Sequence, residues 1–106
     1  MYLSEIIASI DDSLSHLCIV AKQPWADSAE AKLVELTTEF GVPSEDLREG
    51  YEYFLEVSVA LEEVIEGPGV VLTEGQRFEA VLYYAQNDAF PEWLNQLRSE
   101  HRGEAQ

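Results

Sequence analysis

Carboxylates are the only chemically potent side chains this sequence supplies in number: 21 Asp and Glu stand against 6 Lys and Arg in 106 residues, a formal charge of −15. Adjacent pairs such as Glu62/Glu63 and Asp11/Asp12 could serve general acid–base or glycoside chemistry. In so acidic a chain, however, pairs arise everywhere and most are solvated faces. A metal centre needs several His, Cys or carboxylate ligands at workable spacing, yet His16 and His101 lie at opposite ends of the sequence and neither adjoins another His, so no metal and no cofactor is expected. The single cysteine, Cys18, sits in the apolar run LCIVA and reads as core, not as a nucleophile, and it allows no intramolecular disulfide. Phosphate-binding glycine signatures are absent from GPGVV. Tyr84, Asn87 and Asp88 could together line a polar pocket, which would favour a small enzyme; the alternative is helix-cap chemistry, because Asn tolerates left-handed backbone and Asp caps helices.

Recognition is better supplied than catalysis. Residues 27–66 hold twelve carboxylates against Lys32 and Arg48, a local net of −10 and two thirds of the whole excess. Such a field repels nucleic-acid phosphates and anionic membranes and accelerates encounter with a cationic protein, although the same charge also serves plain solubility. Trp25, on the Pro-containing loop QPWADS, is the aromatic expected at the surface and a natural interface anchor, unless it folds back over the core. The contact surface expected on these grounds is Trp25 with the exposed members of the set Glu30, Glu35, Glu45, Asp46, Glu49, Glu52 and Glu56.

The elements that must carry these groups follow from periodicity. Leu3, Ile6, Ile7, Ile10 and Leu14 have helical spacing and predict an amphipathic helix over 3–15, with Ser4 or a neighbour as cap. The run at 17–22 predicts a strand covered on both faces. Residues 30–40 are ambiguous: Leu33, Leu36 and Phe40 have helical spacing, whereas VELTT has strand chemistry. Ser44 can cap one or two turns closed by Gly50. In YEYFLEVS, Tyr51, Tyr53, Leu55 and Val57 alternate with Glu52, Phe54, Glu56 and Ser58, which predicts a strand with Tyr and Leu inward and the glutamates outward. Helical spacing resumes at Val57, Leu61, Val64 and Ile65, with Ser58 as candidate cap and Gly67-Pro68-Gly69 as stop. Thr73 and Gln76 form a T-x-x-Q capping box before an apolar helix face of Phe78, Val81, Leu82 and Ala85, which Asn87 can end. Pro91 opens a short final helix in which Trp93, Leu94 and Leu97 pack back; the tail from about residue 100 is expected to fray.

Three stretches together, LCIV followed by QPW, EGYEYFLEVSVALEEVIE, and above all AVLYYAQNDAF, resemble a family of small acidic bacterial domains of unassigned function. That family is similar in kind to immunity proteins encoded beside polymorphic toxins. The likeness spans about residues 15–93, departs from the family at GVPSED, and is specific only in YYAQNDAF. It implies a strand at 31–38, and therefore an α+β domain with a small antiparallel sheet of about three strands (17–22, 31–38, 51–57) packed against N- and C-terminal helices. It also implies a non-enzymatic immunity protein that occludes a basic toxin, for instance a nuclease. An acidic adaptor or nucleic-acid mimic with another basic partner is the competing reading. The single domain of residues 1–106 has no secretory signal pattern at MYLSEIIASIDDSL and no bilayer-length apolar run, so the expected location is the cytoplasm.

Overall fold

The structure, a computed structural model, describes residues 1–66 and 71–104, with only the backbone for 100–104. Gly67-Pro68-Gly69, expected to stop a helix, lie outside the described residues. In chain order the elements are helix α1 (Leu3–Ser9), a 3-10 turn (Asp12–Leu14), strand β1 (Cys18–Ala21), strand β2 (Ala31–Val34), helix α2 (Ser44–Arg48), strand β3 (Glu52–Glu56), helix α3 (Val57–Val59) continuing as a π-helical stretch (Ala60–Ile65), helix α4 (Glu74–Asn87) and helix α5 (Glu92–Glu104). This is an α+β fold with one antiparallel sheet in the order β2-β1-β3.

Every residue of β1 is buried, as its unbroken apolar run requires of a central strand. Residues facing one another across antiparallel strands share a side of the sheet. Ile19 therefore lies with Leu33 and Leu55, and Cys18 lies with Val34 and Glu56. The first side carries the main core, to which α1 brings Leu3, Ile6 and Ile7, the α3 and π-helical segment brings Val57, Ala60 and Val64, and α4 brings Ala80 and Val81. The second side carries Cys18 and Val20, with Lys32, Tyr53 and Glu56 around them.

The register of β3 corrects the expected alternation. Val20 pairs with Tyr53 and Ile19 with Leu55, so Phe54 is an extra residue, a β-bulge. One inserted residue reverses the facing of everything before it, and Phe54 and Leu55 both become buried (1% and 6% exposed) while Tyr53 is 44% exposed. Phe54, expected on the wet face beside the glutamates, is instead the largest fully buried side chain.

Helix boundaries differ where polar backbone competition intervenes. α1 stops at Ser9: Ile10 is extended, and the Asp11 carboxylate accepts from the Ser13 N–H (2.9 Å), opening the 3-10 turn. The α1 cap is Tyr2 in place of Ser4, its N–H donating to Glu5 Oε1 at 3.0 Å. Pro43 stands at the cap position of α2 and Glu56 at that of α3, so neither Ser44 nor Ser58 has that role. The Thr73–Gln76 capping box of α4 is present as expected: the Gln76 N–H donates to Thr73 Oγ1 at 3.2 Å, and the Thr73 N–H to Gln76 Oε1 at 2.9 Å. α5 extends to Glu104, past the point where the sequence predicts its end.

Candidate functional site

Residues 30–40 resolve their ambiguity as a strand and a turn. β2 pairs with β1 through Ala31–Val34, and the chain then leaves the sheet. A tight turn follows: the Phe40 N–H donates to the Thr37 carbonyl (2.8 Å), the Thr37 N–H to the Gly41 carbonyl (2.9 Å), and the Gly41 N–H to Thr37 Oγ1 (3.1 Å). This turn holds Phe40 in left-handed backbone (φ 63°) with 79% of its surface exposed. A bulky L-residue is strained there. Beneath the turn, at the end of the sheet where β1 begins, lies a cleft of about 340 Å³ lined by His16, Glu35, Thr37, Phe40, Glu56 and Ser58 among others. Glu35 follows β2 and Glu56 ends β3, so the sheet itself brings these two carboxylates to either side of β1.

At the opposite end of β1 the charge is neutralised internally. Lys22 pairs with Glu30 (2.9 Å); Lys32 pairs with Asp46 and lies 4.0 Å from Glu49. Both ammonium groups also sit over the Tyr51 ring, 4.9 and 4.8 Å from its centre. The geometry depends on Gly50, whose left-handed φ of 97° ends α2 as expected and turns the chain so that Tyr51 lies beneath the lysines. The hydrogen bond from Lys22 holds the Glu30 carboxyl below its usual range and raises the lysine, and the bond to Asp46 raises Lys32.

The expected contact set therefore divides. Glu30, Asp46 and Glu49 form ion pairs, and Asp46 is buried (8% exposed), so it is no surface contact. Glu45 and Glu52 are exposed and, among the described residues, form no ion pair; Glu35 and the half-buried Glu56 converge on the cleft. Trp25 is not displayed. It is half-buried, packs edge-on against Phe54 with ring centres 4.9 Å apart, and donates from Nε1 to the Ala21 carbonyl at 3.3 Å. The most exposed aromatic among the described residues is Phe40, which sequence reasoning missed. Its spacing from Leu33 and Leu36 made it look like a core residue; the one available signal was the following Gly41, a turn residue.

Tyr84, Asn87 and Asp88 line neither the cleft beneath the 35–41 turn nor the clefts bordered by Tyr83, Trp93 and Phe78. Tyr84 packs on Phe90, Asn87 Nδ2 donates to the Tyr83 carbonyl (3.0 Å), and Asp88 is the left-handed residue closing α4 (φ 53°). The segment YYAQNDAF thus contains a helix terminus. Burial, with the charge of Glu56 adding to it, pushes the Cys18 thiol up to about 12 and makes it a poor nucleophile. Among the described residues no cluster of three or more His, Cys, Asp or Glu could hold a metal, and no helix is long and apolar enough to cross a membrane. Comparison with protein-family models, curated proteins and solved structures finds nothing that matches this chain.

Proposed function

We propose that this chain is a binding protein for a cationic protein and, on the resemblance carried by YYAQNDAF, an immunity protein that acts in the cytoplasm by covering a basic toxin such as a nuclease. The observation that supports this reading most is the division of charge. Lys22, just after β1, and Lys32 of β2 neutralise carboxylates at one end of the sheet, while at the other end the exposed Phe40 shares a cleft with two carboxylates, and that cleft has no lysine or arginine in its lining. A nuclease surface that attracts phosphate also attracts such a face, and the mechanism is occlusion.

The test is pull-down with the product of the reading frame adjacent to this chain's own, followed by growth rescue. Association should slow between low and physiological salt, and replacing Glu35, Glu45, Glu52 and Glu56 by Gln should flatten that dependence. These four are the members of the expected set that form no ion pair among the described residues, so they test recognition without disturbing the lysine pairs. No rescue and no salt dependence would discard the reading.

A further inference from the structure

We infer that the cleft beneath the 35–41 turn receives one arginine side chain of a protein partner, its guanidinium against Glu35 and Glu56 and its planar face against the ring of Phe40. The inference rests on the reading above that the partner is a cationic protein, and it names what that partner inserts. The volume, about 340 Å³, is at the lower end of small-ligand sites and suits one side chain better than an extended segment.

Charge complementarity selects a cation. Two of the lining residues are carboxylates, none is Lys or Arg, and neither Glu35 nor Glu56 has an ion-pair partner among the described residues. The field of Glu56 is felt locally: burial is the main cause of the raised Cys18 and Tyr53 values, and in both the Glu56 charge adds to it. The exposed Phe40 ring then selects among cations. A guanidinium is flat, weakly hydrated and able both to stack on an aromatic face and to meet carboxylates in a forked geometry, whereas an ammonium satisfies only the charge.

The test titrates the full chain with N-acetyl-arginine methylamide and follows backbone amide shifts, with the lysine and citrulline analogues as controls. The shifts should concentrate at residues of the cleft such as Leu17, Leu36 and Thr37, with arginine binding more tightly than lysine and citrulline giving no response. Glu56→Gln and Phe40→Ala should each weaken arginine binding by roughly fivefold or more while leaving the circular dichroism unchanged. Equal shifts along the exposed carboxylates of the π-helical stretch and α4, or no effect of either variant, would overturn the cleft. Arginine capture without any toxin partner would sink the immunity reading and leave the cleft standing. A toxin bound equally well by both variants would do the reverse.

Discussion

Phe40 pays in backbone strain for a position that contributes nothing to the core. The left-handed region costs an L-residue about 1–2 kcal/mol, and a ring 79% exposed recovers little of that by burial. Phe40→Gly removes the strain and adds some chain entropy to the unfolded state, so a net gain of up to about 1 kcal/mol is expected in urea unfolding. The same variant should bind a cationic partner less well. A loss of stability would mean that the ring packs on the body of the protein and is not offered to a partner.

Cys18 gives a second prediction at the same scale. Its thiol ionises near 9.0 when free and near 12 when folded. The unfolded chain therefore loses the proton first as pH rises; the contribution is complete below about 9 and falls by roughly 1.4 kcal/mol per pH unit up to about 12. Tyr53, also raised, acts in the same direction. Cys18→Ala should lower stability at neutral pH and make the alkaline limb of a urea-midpoint profile less steep. An unchanged limb would assign the alkaline loss to other groups.

Among the elements, the bulge in β3 decides what the strand does. Phe54 is sealed against Trp25 and Tyr53 is open, so Phe54→Ala should cost about 3–5 kcal/mol in urea unfolding whereas Tyr53→Ala should cost well under half of that. Equal costs would contradict the bulged register. This element also marks where the sequence stops being legible. The strand itself is readable from the Tyr/Phe/Leu run between Gly50 and Val57, and the α4 start is readable from Thr73 and Gln76, because those signals are local hydrogen-bonding and packing chemistry. A bulge is a non-local choice, made when two buried strands and a tryptophan compete for one face, and strict alternation therefore assigned Phe54 to the wrong side. The same holds for the site. Carboxylate abundance was visible at residues 27–66, but which carboxylates are free depends on Lys22 and Lys32 reaching Glu30, Asp46 and Glu49 across the fold.

At the scale of the whole molecule, repulsion and recognition respond to salt in opposite ways. The described body is elongated, 51 × 26 × 22 Å, and a formal charge of −15 is spread over it with only three ion pairs among the described residues. The Lys22–Glu30 and Lys32–Glu49 pairs are solvent-exposed and contribute little, and only Lys32–Asp46 engages a buried carboxylate, so the balance of charge interactions in the folded state is repulsive. Shortening the screening length from about 30 Å at 0.01 M salt to roughly 8 Å at 0.15 M weakens that repulsion. The urea midpoint should therefore rise over this range with an unchanged slope, while association with a cationic protein slows. A midpoint that fell with salt would place the net electrostatic contribution in the Lys22 and Lys32 pairs. An association rate insensitive to salt would show that the acidic excess serves solubility, leaving the Phe40 cleft to account for recognition alone.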